Sequence, residues 1–163
     1  ASPPFTGISI SPAVRSIRVE DMLYFLSLDG FRWTSKGGFF MTNYPWLDGY
    51  LLSKPGAERD FKVEWQWERY LVRGKMFAAV CTPGPEHKPH AGRTMVILKC
   101  DPRLAEAFRA EYPDVVPGFY SDKRNWNSVY LDGTVPETLL QDMCDMSYSL
   151  VVAKLPKKVR ETL

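Results

Sequence analysis

Residues Phe61 to Cys81 read FKVEWQWERYLVRGKMFAAVC, and their pattern decides the fold class. Phe61, Val63, Trp65 and Trp67 alternate with Lys62, Glu64, Gln66 and Glu68. A period of two predicts a half-buried strand with both tryptophans on one face. Burial under a helix would make that pair a core lid, and a bare face would make it a binding surface. Tyr70 to Val72 and Lys75 to Cys81 then flank Arg73-Gly74, which predicts strand, tight turn, strand. A single glycine leaves the turn type open.

Downstream, three prolines and two glycines make Thr82 to Gly92 a loop, and Thr94 to Cys100 (TMVILKC) has the length of a buried strand. Asp101-Pro102 starts a helix, with Asp as cap and Pro in the first turn. Leu104, Ala107, Phe108 and Ala110 are its predicted buried side, and Pro113 stops it. Val115 to Asn127 reads as a polar-aromatic loop and Ser128 to Leu131 as a short strand closed by Asp132-Gly133. Thr134 is the predicted cap of the last long helix, with Pro136 near its start and Glu137 at the capping-box position. Leu139, Met143, Met146 and Leu150 make its core stripe, and Pro156 breaks it before a last turn or two.

Upstream, Thr42 or Asn43 can cap a helix that puts Trp46, Leu47, Tyr50 and Leu51 on one face and ends at Pro55-Gly56. Val19 to Leu28 reads as a further short helix, and Ser35 to Gly38 as a linker. Consecutive strands joined by short turns, with helices around them, predict an α+β fold: a single antiparallel sheet flanked by helices. The chain divides into an N-terminal extension, residues 1–40, and one domain, residues 41–163. Met41 is the expected natural start or the true beginning of the domain.

With 163 residues, a 45% hydrophobic and a 25% charged fraction, the chain has the composition of one globular domain, not of a disordered segment. No apolar run reaches membrane-spanning length. A net charge of +2 means that any nucleic-acid role rests on a local patch. Cys81, Cys100 and Cys144 are an odd, unpaired set, read as buried reduced thiols, and with no signal peptide visible the expected compartment is the cytoplasm.

Several segments, in order, carry a family resemblance. They are Gly74-Lys75-Met76-Phe77-Ala78, Leu98-Lys99-Cys100-Asp101-Pro102, Pro117-Gly118-Phe119-Tyr120, Lys123-Arg124-Asn125-Trp126-Asn127, Ser147-Tyr148 and Val152 to Lys158. From Tyr44 to Leu163 the chain resembles the MmcQ/YjbR family of small DNA-binding proteins. The resemblance implies a CyaY-like α+β fold and a double-wing mode of DNA binding, with no cofactor.

Two stretches supply chemistry for that role. Lys123, Arg124, Trp126 and Asn127, with Tyr120, combine cations, a stacking ring and an amide, the set that meets phosphate and base together. Lys154, Lys157, Lys158 and Arg160 make four of seven residues cationic near a helix end. Lys99, closing an apolar strand, is a further candidate contact, and Arg69, Arg73 and Arg93 flank the same strands as extensions of a basic face. Against this, Trp126 can anchor its loop and the cations can be merely solvated, which leaves a second reading open: an interaction module for a protein or small molecule. No P-loop, G-x-S-x-G or H-E-x-x-H is present, and Asp142 with Asp145 reads as a solvated helix face, so the expectation is a binding protein with no catalytic residues. Cys81, His87, His90 and Cys100 fit no usual structural zinc spacing, so no metal site is expected.

Overall fold

The computed structural model describes residues 31–33 and 39–163, with side chains from Thr42 onward. The expected helix Val19 to Leu28 and the linker Ser35 to Gly38 lie outside the described residues. Strands β1 (Phe31–Trp33) and β2 (Phe39–Met41) pair antiparallel. Helix α1 (Leu47–Leu52) follows, then β3 (Ala57–Lys62), β4 (Trp67–Val72), β5 (Lys75–Cys81) and β6 (Met95–Lys99). After them come α2 (Pro102–Glu111), β7 (Val115–Pro117), β8 (Trp126–Tyr130), α3 (Glu137–Ala153) and α4 (Lys157–Arg160).

Strands β3 to β8 form one antiparallel sheet in the order β3-β4-β5-β6-β8-β7. Each of the first three joins is a loop between neighbours, as consecutive hairpins require. The α+β class read from the sequence is the class observed.

The tight turn stands at Arg73-Gly74, where φ is +48° and +74°. Two positive φ values in a two-residue loop are the type I′ geometry, whose twist matches the flanking strands. The expected strand through Phe61 to Trp67 is not continuous. It is a hairpin, β3 and β4, closed by residues 63–66 with Gln66 at φ +56°. The Gln66 amide side chain donates to the Val63 carbonyl (2.7 Å) and the Trp65 amide to the Lys62 carbonyl (3.2 Å). No glycine or proline marks this turn, so the alternation runs straight through it. The tryptophans therefore do not share a strand face: Trp67 is buried and Trp65 stands half exposed in the turn.

The core lies on the sheet face covered by α1 and α3. Tyr70, Val72, Phe77, Ala78, Val80, Val96, Leu98 and Val129 meet Leu47, Leu51, Leu140, Met143, Cys144 and Val151. The buried stripe of α3 includes Met143 as expected, and its other members, Leu140, Cys144, Ser147 and Val151, lie one residue after the expected Leu139, Met143, Met146 and Leu150. Thr134 does not cap α3: its amide donates to Asp114 (3.0 Å), and the helix begins after Pro136. On α2 the buried position is Ala105, while Leu104, Ala107 and Ala110 are exposed. Asp101 does cap α2, accepting from the Arg103 amide (2.9 Å). The stretch Val115 to Asn127 is not all loop, because β7 pairs with β8 as an edge strand.

The opposite sheet face carries a smaller cluster, Trp67, Ala79, Cys81, Met95, Ile97 and Tyr130, with Met76, Phe119 and Trp126 against it. Loop residues, not a helix, pack over it: His90 and Phe119 meet at ring centroids 5.8 Å apart. None of the described helices is long and apolar enough to cross a membrane.

Candidate functional site

Lys99 ends β6 and pairs in register with Trp126, the first residue of β8. Its ammonium lies 5.3 Å from the Trp126 ring centroid, a cation–π distance. The Lys99 amide donates to the Ser147 hydroxyl (2.8 Å), which ties β6 to α3, and Lys154, the cap residue after α3, is near enough for its charge to act on Lys99. Partial burial, and next the Lys154 charge, hold the Lys99 pKa below the ordinary lysine value; Asp122 acts the other way. Two ammonium groups and an indole thus share one end of the sheet, and Pro156 leads from there to exposed Lys157, Lys158 and Arg160 on α4. Lys157 has Glu161 at 3.8 Å.

Of the remaining expected contacts, Asn127, Lys123 and Tyr120 are engaged within the fold. Asn127 is fully buried, with its amide donating to the Ala105 carbonyl (3.2 Å), so its side chain ties α2 to β8 and offers nothing to a surface ligand. Lys123 turns its ammonium onto the Gly118 carbonyl (2.6 Å). Arg124 is exposed, its amide held by Asp122 (2.9 Å) in a side-chain-closed turn. Tyr120 is 71% exposed but leans on Phe119 and His87 over the helix-free face. Arg69 forks onto Asp60 (2.8 and 2.5 Å). Arg93 bonds Asp132 (2.7 Å) and stacks on Tyr130 (3.5 Å). Both are neutralised and extend no basic face. Arg73 donates to the Thr162 carbonyl (3.1 Å).

A second feature was foreseen only as a bare tryptophan face, not as a cleft. Between the residue 63–66 turn and the two covering loops lies a cleft of about 740 Å³. Trp65, Trp67, Phe119, Tyr120 and His87 line it, with Met76 and Cys81 and with Glu64 and Glu86 among its polar residues. The signal was present in the aromatic count of Trp65, Trp67, Phe119 and Tyr120, but their convergence depends on loop paths that no periodicity encodes.

The reactive residue types are spent on structure. Burial pushes the Cys81 thiol up to about 12 and the Cys100 thiol to about 11, and Cys144 is raised as well. All three are free and buried. His90 faces the Tyr130 hydroxyl through Nδ1, and burial lowers its pKa. His87 has Glu86 at 3.1 Å. Asp145, expected as solvated, accepts from Tyr50 (2.8 Å) and pairs with Lys54.

The YjbR family model matches residues 52–150, from the end of α1 into α3. The chain belongs to the YjbR family. YjbR of Escherichia coli K12 is 35% identical over 114 residues, covering 70% of this chain and 91% of that relative. YyaQ of Bacillus subtilis is 30% identical over 112 residues, 62% of this chain and 91% of its own. Among solved YjbR-like folds, Deinococcus radiodurans protein DR2400, a DUF419 domain, superposes with a TM-score of 0.62 at 27% identity, over 74% of this chain and 86% of that one. A Pseudomonas syringae protein shares the fold at a TM-score of 0.57 and 20% identity, over 68% of this chain and 98% of its own. The YjbR match takes in the cleft, Lys99 and Trp126, and stops short of Lys154 and α4.

Proposed function

We propose that this YjbR-family chain is a non-enzymatic DNA-binding protein that holds the phosphate backbone at the β6–β8 end of its sheet. The observation that carries the reading is the Lys99–Lys154 pair beside Trp126. Two like charges held close cost free energy that an anion placed between them recovers. A phosphate there gains two charge-assisted hydrogen bonds. Trp126 offers a partly exposed ring for a sugar or base, and Arg124, Lys157, Lys158 and Arg160 supply outer phosphate contacts. With so few contacts, binding is modest, steeply salt-dependent and weakly sequence-selective.

The test is fluorescence anisotropy of a labelled random duplex against the full chain, at low and near-physiological salt. Expected is saturable binding that weakens with salt and is lost in Lys99→Glu/Lys154→Glu with the circular dichroism unchanged. Binding that the charge reversal leaves intact, or none at low salt, overturns the reading.

A second reading, a protein- or small-molecule-binding module, is favoured by one observation: the aromatic cleft has no lysine or arginine among its lining residues.

A further inference from the structure

We infer that the cleft on the helix-free sheet face is a binding site for a small organic cation of the quaternary-ammonium type. This site is independent of the DNA reading, since none of the ten residues expected to contact DNA lines it except Tyr120.

Four observations converge. The first is the lining itself. Trp65, Trp67, Phe119 and Tyr120 supply ring faces and edges, Met76 adds a polarizable thioether, and Glu64 and Glu86 are the carboxylates, with the His87 imidazole 3.1 Å from Glu86. No lysine or arginine is among the lining residues. Aromatic walls with carboxylates, and no lysine or arginine in the lining, are the chemistry that selects an ammonium: the ring quadrupoles attract it, and methyl groups on nitrogen reduce its desolvation cost.

The second is exposure. Trp65 is 52% and Tyr120 71% exposed, two of the four large exposed hydrophobics among the described residues, and they stand on the same opening. Large apolar groups left at a concave rim mark recognition surfaces more often than scattered single ones do.

The third is backbone conformation. Three non-glycine residues among those described have positive φ, and two of them, Gln66 and Tyr120, line the cleft. A bulky aromatic in the left-handed region is disfavoured, and such outliers gather at ligand-binding sites. At Tyr120 the cost holds the ring edge-on to Phe119 at 4.8 Å and to His87 at 5.3 Å.

The fourth is that Trp65 already draws cations. Lys62 lies 5.8 Å and Arg69 5.9 Å from its ring, and each is itself held by a carboxylate, Glu64 at 3.3 Å and Asp60 at 2.5 Å. Neither reaches into the cleft. The volume, about 740 Å³, suits a small molecule larger than the ammonium group alone.

The test is a calorimetric titration of the full chain with choline chloride, with 3,3-dimethylbutan-1-ol as the neutral isostere of the same shape and sodium chloride as the ionic-strength control. Expected is saturable, millimolar-range or tighter choline binding, at least tenfold tighter than the neutral isostere. Trp65→Ala and Tyr120→Ala, both at exposed positions, weaken it about tenfold each while the unfolding midpoint stays in place. Choline and isostere binding alike would reduce the cleft to an unselective apolar pocket and overturn the inference. So would the absence of saturable choline heat, or choline binding untouched in both variants. Duplex binding by the same protein is read separately, so failure of one site leaves the other's result standing.

Discussion

The Ser147 hydroxyl on α3 hydrogen-bonds the main-chain carbonyl of Phe77 in β5. Phe77 is the extra residue of a bulge: Tyr70 pairs with Ala78 and Leu71 with Met76, leaving Phe77 unmatched on β4. The same oxygen accepts the Lys99 amide (2.8 Å), so one buried hydroxyl joins helix, bulge and neighbouring strand. Ser147→Ala leaves a buried carbonyl and a strand-end amide without this partner, and a lost buried hydrogen bond costs about 1–3 kcal/mol. Urea unfolding will show a lower midpoint with unchanged slope. An unchanged midpoint would mean that water replaces the hydroxyl there.

Gly118 sits tightly against β8. A Cβ there would lie 2.7 Å from the Trp126 Cβ and 3.0 Å from its carbonyl oxygen. The Gly118 amide also donates to that carbonyl (2.9 Å). Gly118→Ala must therefore displace the loop that carries Phe119 and Tyr120, at a cost of about 1–3 kcal/mol for overpacking. Thermal unfolding checks the cost, and near-ultraviolet circular dichroism reports the moved aromatics.

Arg73 holds φ +48° at the first position of the type I′ turn, where Asn is favoured over a longer side chain. Arg73→Asn is expected to raise stability by about 0.5 kcal/mol, after loss of the exposed bond to Thr162. A lower unfolding midpoint would show that the Thr162 contact outweighs the backbone preference.

Asp101 is held down to about 2 by the Arg103 guanidinium and its amide. A carboxylate lowered in the folded state contributes stability that is complete above its unfolded pKa, about 3.9, and is lost as pH falls toward the folded value. Asp60, Asp122 and Asp132 are lowered too, by Arg69, by Asn125 and by Arg93. The urea midpoint is therefore flat in these groups above pH 5 and falls between pH 4 and 2. Asp101→Asn, which keeps the cap, makes that fall shallower; an identical acid limb would remove Asp101 from the account.

The three thiols are buried and their pKa values raised, so few thiolates exist at pH 8. Ellman's reagent is expected to find no fast-reacting thiol in the native protein and three after denaturation. One native fast thiol would show that a covering loop opens.

The fold was legible where local pattern and packing agree. The Arg73-Gly74 turn, the Asp101-Pro102 helix start and the Met95–Lys99 strand follow from turn, cap and buried-run chemistry that acts within a few residues. The residue 63–66 turn was hidden because Gln66 takes the left-handed conformation that sequence reading assigns to glycine. On α3 the buried Met143 was legible, while Ser147 was hidden because it is polar and its partners on β5 and β6 are remote in sequence. At the basic end, Lys99, Trp126 and Lys154 were individually visible, while their meeting depends on strand register and on how α3 docks on the sheet. Asn127 was misplaced for the related reason that an amide beside a tryptophan looks like a contact until α2 is known to cover it.

An open sheet has two borders, and here both resist growth. The β3 border carries Glu58, Arg59, Asp60 and Lys62 within six residues, and β7 is three residues long and ends in Pro117. Alternating charge makes an incoming strand match four ions at once, and proline withholds a donor from the other side. Among the described residues the hydrogen-bonded ladder thus has no ready continuation at either border.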